Sequence, residues 1–231
     1  MYVERNSHPY LSRCNIAGAE QHRFLAKTNS LSFAGYVGEE SGLDFVWGRW
    51  DLGPQDRLYA APDRNAYRIE ILEPDGSLVR VIERDYESYT RTAEDRQLAM
   101  RYVKAVFQNY PRPPQEYTIL DTDADIAGLR VTGSGEVWVT TSRSARDLPD
   151  GVGIIYDVFN PEGEYVRQAA VHGSFDPDRD LLRFLGEDRF MVVIGAGEGY
   201  LNSMGVGSDE GEETEEAEDV PLIEAIYYEI R

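Results

Sequence analysis

A turn motif that recurs with strands on both sides constrains the fold more than any other feature of the sequence. Pro74-Asp75-Gly76 is followed after two residues by Val79-Arg80, and Pro161-Glu162-Gly163 is followed at the same distance by Val166-Arg167. Proline presets φ at the first turn position, and glycine tolerates the positive φ that closes a hairpin. Two copies of this bend, each placed between strands in the same order, predict an antiparallel structural repeat.

The segment before each bend has the alternation of a strand with one polar face. Ile69 and Ile71 alternate with Arg68 and Glu70 in the first copy, which is the period-two pattern of a half-buried strand. Residues 154–159 are the corresponding strand of the second copy.

Each unit also begins with a strand, a tight turn and a second strand. These turns are predicted at Gly53-Pro54, at Gly133-Ser134-Gly135 and at Gly186-Glu187-Asp188. The third unit has an apolar strand at 190–194 and a last strand at 222–230, with no Pro-acid-Gly bend after it. The sequence therefore predicts an all-β, β-propeller-like array of about three to three and a half four-stranded antiparallel blades.

One helical insert, predicted at 92–110, interrupts this array. Thr92 and Asp95 have the spacing of a capping box, and Pro111 ends the helix. Its apolar face is predicted from residues at four-residue spacing, namely Leu98, Tyr102, Val106 and Tyr110. An amphipathic helix lying over the sheets is the favoured interpretation, and a partner-binding helix is the alternative.

The charge of the chain limits its partners. The net charge is −19, which disfavours binding to nucleic acid and to anionic membranes. Residues 209–219 carry many of these acids, and we predict a flexible solvated loop at 205–220, with a site for a cation or basic partner as the alternative. No apolar stretch approaches the roughly 20 residues that a membrane-spanning helix needs.

Compartment is left open by the sequence. Cys14 is the only cysteine, so no internal disulfide can form. Residues 1–10 lack the apolar region of a signal peptide, so none is expected within this chain.

Motifs that carry chemistry are weak. His8, His22 and His172 have no metal-ligand spacing. Ser142, Ser144 and Ser174 lack the nucleophile-elbow context of hydrolases. We expect these residues, and Cys14, to be surface or structural groups.

Two short motifs resemble ligand-binding loops. Asp121, Asp123 and Asp125 are spaced as at the start of a calcium loop, but Ile126 and Thr132 replace its essential glycine and glutamate. A solvated linker is the better prediction, with calcium as the alternative. Residues 195–199 are glycine-rich but lack the Lys-Ser/Thr of a phosphate loop, which favours a flexible strand exit. Three tryptophans at strand positions are predicted to be core rather than ligand-stacking residues: Trp47, Trp50 and Trp138.

Several segments resemble bacterial six-bladed β-propeller proteins of the NHL-like superfamily: 51–62, 67–71, 74–76, 79–86, 128–131, 136–139 and 156–163. The resemblance covers roughly 45–231 and implies that these are the C-terminal blades of such a ring; similar proteins are often exported. A six-bladed ring needs about twice this many strands. We therefore expect two chains to pair as a homodimer that completes the ring, or this sequence to be the C-terminal piece of a longer propeller; residues 1–44 are a further candidate for the closing strands.

Two functions from different classes follow from this resemblance. The first is a non-catalytic scaffold that binds an unidentified protein or small molecule through the loops at one end of the blades. The second is a propeller hydrolase or lyase with a calcium-type metal site in the central channel. A fold hosts many activities, so the sequence alone does not choose between them. It identifies no catalytic or metal-binding residue.

Overall fold

The computed structural model describes residues 4–32, 37–108, 110, 113–173, 175–176, 179–186, 189–197, 199 and 224–229. Strands dominate these residues, and helices are few. The strands before the first large sheet are β1 (Glu4–Ser7), β2 (Tyr10–Cys14), β3 (Glu20–Ala26), β4 (Asn29–Ser32) and β5 (Val37–Glu39). The short helix α1 (Glu40–Leu43) leads from β5 towards that sheet.

The first large sheet is a four-stranded antiparallel meander. It consists of β6 (Trp50–Leu52), β7 (Leu58–Ala60), β8 (Arg68–Leu72) and β9 (Leu78–Glu83), paired in chain order. Ile69 and Ile71 are buried and Arg68 and Glu70 are half-buried, as their alternation predicts. Gly76 closes the hairpin between β8 and β9 with a φ of +86°, a conformation that side chains with a Cβ avoid.

The second large sheet repeats the same order after a long insert. It consists of β11 (Ile126–Val131), β12 (Val137–Thr141), β13 (Val152–Phe159) and β14 (Tyr165–His172). Gly163 closes its last hairpin with a φ of +82°. Gly76 and Gly163 therefore occupy equivalent bends, each between the third and fourth strands of its sheet, which confirms the predicted repeat.

The third sheet has three described strands. These are β15 (Leu181–Phe184), β16 (Arg189–Val193) and β17 (Ala225–Glu229), with β16 in the middle. The last strand was predicted at 222–230, and its ends lie outside the described residues, as does the acidic loop at 205–220. Within the described part of the chain, the early strands pair elsewhere: β1 with β4, β2 with β3, and β5 in parallel with β10 (Glu116–Thr118).

The three sheets are stacked face to face, and apolar clusters fill the spaces between them. The cluster between the first and second sheets comprises Tyr59, Ala61, Tyr67, Ile69, Ile71, Ile82, Ile126, Val131, Val137, Val139 and Phe159. The cluster between the second and third comprises Ile154, Tyr156, Val158, Val171, Phe190 and Val192. Neighbours in a strand point to opposite faces, so the two central strands of the second sheet, β12 and β13, contribute to both clusters.

The hairpin formed by β2 and β3 covers the remaining face of the first sheet. Leu11, Phe24 and Leu25 of the hairpin pack against a third cluster, whose buried members are Leu58, Ala60 and Leu72. This hairpin was not predicted, because residues 10–26 have no repeat and little alternation. The hairpin therefore shields apolar residues on this face of the first sheet from solvent.

The first strands of the two large sheets lie side by side. Asp51 on β6 accepts a hydrogen bond at 2.8 Å from the backbone N–H of Val131 on β11. The first strands of these neighbouring sheets are therefore in direct contact. No closed ring of sheets is present in the part of the chain that the structure describes.

The helical insert is α2 (Ala93–Gln108), close to its predicted limits. Thr92 and Asp95 form the predicted capping box, since each backbone N–H is bonded to the other's side chain at 2.8 and 3.2 Å. The predicted apolar face is wrong. Leu98 and Tyr102 are 37% and 42% exposed, whereas the buried residues are Val103, Ala105 and Phe107. The physical reason is that α2 packs on the small parallel pair β5–β10 and not over the large sheets.

The tryptophans also differ from expectation. Trp138 is half-buried between the second and third sheets, where its ring centroid lies 5.7 Å from that of Tyr156. Trp47 and Trp50, predicted as core, are 63% and 37% exposed. Neither residue belongs to the apolar clusters of the sheets. Within the described residues, no helix combines the length and apolarity needed to cross a bilayer.

Candidate functional site

The long connections of the two large sheets gather at one end of the stack. The connections β7–β8, β9–β11 and β12–β13 span residues 61–67, 84–125 and 142–151, and we call this end the loop face. The opposite end, here the turn face, carries only tight turns at 53–57, 73–77, 132–136 and 160–164. Binding residues concentrate on loops held by a rigid frame, so the loop face is the candidate functional surface.

A small layer made of α2, β5 and β10 lies on the loop face. Phe107 of α2 is buried, with its ring 6.3 Å from that of Tyr117 on β10. Gly38 on β5 is required there, because a Cβ would come within 2.7 Å of the Tyr117 ring. The layer thus has a core of its own and needs a separate attachment to the sheets.

Buried ion pairs provide that attachment. Arg91, 8% exposed, donates to both Glu40 carboxylate oxygens at 2.7 and 2.8 Å and to Asp123 at 2.6 Å. Glu40 also accepts the backbone N–H of Leu120 at 2.9 Å. Arg64, from the first sheet's β7–β8 connection, approaches Glu40 at 3.4 Å. One carboxylate therefore holds together α1, the insert and the first sheet.

A second arginine connects the insert to the second sheet. Arg146 donates to Asp95 at 2.8 Å and to Asp123 at 3.0 Å. Its guanidinium group also lies over the Tyr89 ring, 4.1 Å from the centroid. The ion pair between Arg146 and Asp95 fixes the N-terminus of α2, since Asp95 also belongs to the capping box with Thr92.

The electrostatics of the network follow from these contacts. Burial raises the pKa of Asp95, but hydrogen bonds from Thr92 and Arg146 outweigh it and hold the pKa at about 2. Burial likewise opposes ionisation of Glu40, yet Arg91 and the Leu120 N–H keep its pKa below the ordinary value. Both carboxylates are therefore ionised at neutral pH and serve as fixed counterions.

Two clefts open on the loop face. The first, the basic cleft, has a volume of about 440 Å³. Its lining residues are Arg64, Arg91, Asp123, Ala124, Ala127, Thr140, Thr141, Ser142, Ser144, Ala145, Arg146 and Ile154. The guanidinium groups of Arg91 and Arg146 that line it are committed to the ion pairs above. These ion pairs hold two of the three arginine side chains of the basic cleft in place.

The second, the acidic cleft, has a volume of about 540 Å³ and lies beside the first sheet. Its lining residues are Asn65, Ala66, Tyr67, Arg68, Glu83, Arg84, Asp85, Tyr86 and Asp125. Tyr86 connects the two clefts, because its hydroxyl lies 2.9 Å from Ser142 Oγ in the wall of the basic cleft.

The prediction of a solvated linker at Asp121, Asp123 and Asp125 holds for the first of these residues only, and the structure separates the three side chains. Asp121 is exposed and paired with Arg96 at 3.3 Å, and Asp123 is held by Arg91 and Arg146. Asp125 is buried in the wall of the acidic cleft. In the chain as described, no cluster of three or more histidine, cysteine, aspartate or glutamate side chains has metal-binding geometry.

The glycine-rich segment at 195–199 is not simply a flexible strand exit. Ala196, Gly197 and Gly199 have helical backbone. The Gly195 N–H, which a phosphate oxygen would need, donates to Asp180 Oδ1 at 2.8 Å. An internal carboxylate thus occupies that position.

The remaining candidates are structurally engaged or far apart. His8 contacts Thr28 Oγ1 at 3.2 Å, His22 lies against Gly76 on the turn face, and His172 ends β14. Ser144 Oγ accepts the Thr141 N–H at 2.8 Å, and Cys14 is exposed. Ser174 lies outside the described residues.

Sequence reasoning missed a buried polar node between the first two sheets. Asp157 on β13 is 5% exposed and accepts hydrogen bonds from Tyr67 at 3.2 Å and Arg84 at 2.8 Å. Burial, and then the negative charge of Asp157, raise the pKa of Tyr67 far above its ordinary value. The only signal was a carboxylate inside an otherwise apolar strand, Ile154 to Phe159.

Comparison with known proteins adds no further identification. No protein-family model matches the sequence, and no curated protein matches it.

Proposed function

We propose that this protein is a non-catalytic binding scaffold of the β-propeller kind, whose ligand contacts the loop face. The observation that carries the proposal is the division between the two ends of the stack. One end has only tight turns, whereas the other has every long connection of the two large sheets and both clefts. Scaffolds of this architecture bind through the loops at one end of their blades.

The state of the polar groups supports a scaffold over an enzyme. Arg91 and Arg146 hold structural carboxylates, and Ser142 and Ser144 are bonded to neighbouring groups. A catalytic nucleophile is instead oriented by an adjacent general base. These side chains fix the shape of the clefts.

The proposal is tested by thermal-shift measurements with a panel of amines, carboxylates, phosphorylated sugars and neutral sugars. We expect at least one class to raise the melting temperature, because a ligand that binds only the folded state at 100 times its dissociation constant stabilises it by about 2.7 kcal/mol. Ala127→Gln in the basic cleft or Asp85→Asn in the acidic cleft should reduce that shift. Glu162→Gln, an exposed substitution on the turn face, is the matched control.

A shift that only Glu162→Gln removes, or no shift with any class, would contradict the proposal. The alternative, a calcium-dependent hydrolase or lyase, makes a different prediction. Protein prepared without chelator and then dialysed would retain calcium in a one-to-one ratio by elemental analysis, which the scaffold proposal does not expect.

A further inference from the structure

Asp125 is a buried carboxylate with an unused acceptor. Its exposure is 1%, and Oδ1 accepts no hydrogen bond from any residue that the structure describes. Buried polar atoms in folded proteins nearly always have a partner, and an unpartnered charged group is costly. Asp125 also belongs to the wall of the acidic cleft. A ligand that enters this cleft can therefore donate the hydrogen bond that Oδ1 of Asp125 lacks within the fold.

The surroundings of Asp125 favour a positively charged donor. Glu83 and Asp85 line the same cleft and are exposed. The two arginines of the wall do not balance these acids. Arg68 is already paired with Glu70 and Glu83, and Arg84 with Asp157. Three carboxylates and two already paired guanidinium groups thus line the cleft, and the local charge is negative.

One arginine of the chain shows how an organic cation is held beside a buried carboxylate. The guanidinium group of Arg84 lies over the Tyr67 ring, 4.9 Å from its centroid, and donates to the buried Asp157 at 2.8 Å. Cation–π contact together with a buried carboxylate is a strong way to hold an organic cation. Asp125 is another buried carboxylate, and it lines the acidic cleft together with the half-buried Tyr86.

We propose that the acidic cleft binds an organic cation, a guanidinium or primary ammonium group, which donates to Asp125. Its volume of about 540 Å³ is in the range of small-molecule sites and far larger than a single metal ion requires. The cation belongs either to a free small molecule or to an arginine or lysine side chain of a peptide. This inference rests on the proposed binding function and specifies the chemistry of its ligand.

The test is calorimetric titration of the full chain at two salt concentrations. Agmatine is the free guanidinium probe, and the capped tripeptide Gly-Arg-Gly is the peptide probe. The same tripeptide with citrulline in place of arginine is the neutral control of nearly equal shape. We expect the guanidinium probes to bind and the citrulline peptide not to bind. Agmatine binding alone indicates a free small molecule, and binding of both indicates a peptide.

Three variants distinguish binding at a specific site from nonspecific electrostatic attraction of a cation to an acidic protein. Asp125→Asn should lower the affinity at least tenfold, since a charge-assisted hydrogen bond contributes about 1.5–3 kcal/mol. Asp85→Asn, at an exposed position that folding does not depend on, should lower it about twofold to threefold. Glu162→Gln removes the same charge on the turn face and should leave the affinity unchanged.

Equal losses in the Asp85→Asn and Glu162→Gln variants would overturn the inference even if Asp125→Asn failed to fold. So would binding of the citrulline peptide as tight as that of the arginine peptide. If only a non-cationic class from the thermal-shift panel binds, the cation site is wrong and the scaffold stands. If no class binds, both are wrong.

Discussion

Replacing Arg91 by methionine tests the clamp that attaches the α2 layer to the sheets. The substitution keeps most of the aliphatic stem but removes donors to Glu40, which is itself 11% exposed, and to Asp123. Removing one partner of a buried ion pair costs about 3–5 kcal/mol because the other charge stays buried. Glu40 retains the Leu120 N–H and Asp123 retains Arg146, so the lower end, about 3 kcal/mol, applies.

Urea unfolding and thermal melting measure this effect. For a chain of 231 residues, a loss of about 3 kcal/mol lowers the melting temperature by roughly 6–12 °C. Arg96→Met is the matched control. Arg96 and Asp121 are 47% and 79% exposed, so this variant should stay within about 0.5 kcal/mol of the wild type.

A double variant tests whether Arg91 and Glu40 act as a pair. Once Arg91 is gone, Glu40→Gln should cost less than it does in the wild type, because the charge it removes has lost its main partner. Additive effects, or an Arg91→Met protein as stable as the Arg96→Met control, would refute the view that these pairs hold the insert in place.

Three further predictions concern acid stability, the hairpin bends and the core. The pKa of Asp95 is lowered to about 2 from 3.8. The ionised carboxylate therefore stabilises the fold fully above about pH 4, and this contribution is lost as the pH falls towards 2. In urea unfolding, Asp95→Asn should reduce the change of the unfolding free energy over this pH range by about 1–2 kcal/mol. Gly163→Ala should destabilise by about 1–2 kcal/mol because φ is +82°. In the same assay Gly42→Ala, in open space within α1, should not destabilise and should stabilise by up to about 1 kcal/mol. Phe190 is 4% exposed, so Phe190→Ala should lower the free energy of unfolding by about 3–4 kcal/mol. Tyr227 is 68% exposed, so Tyr227→Ala should lower it by less than about 1 kcal/mol. Similar losses for the two variants would contradict the assigned faces of the third sheet.

Local features of the sheets could be predicted because they depend on neighbours in sequence. The bends at Gly76 and Gly163 and the buried face of β8 follow from turn chemistry and alternation. The capping pair Thr92 and Asp95 follows from a four-residue pattern.

Features that depend on distant partners could not be predicted. The predicted buried face of α2 was wrong because the helix packs on the β5–β10 pair, and no pattern in the sequence indicates this pair. Glu40 meets Arg91 across 51 residues, and Tyr67 meets Asp157 across 90. Asp125 was grouped with Asp121 and Asp123 by spacing, although the fold places the three side chains in different surroundings.

Stacking of the first sheet on the second is the claim on which both clefts depend, and nuclear Overhauser contacts test it most directly. Ile82 of β9 lies against the bend at Gly163, where a Cβ added to the glycine would be 3.1 Å from Ile82 Cγ1. In methyl-labelled protein we predict a strong contact between the Ile82 methyl groups and the Gly163 α-protons. Ile82 methyl groups that show contacts within the first sheet but none to Gly163 would contradict the arrangement.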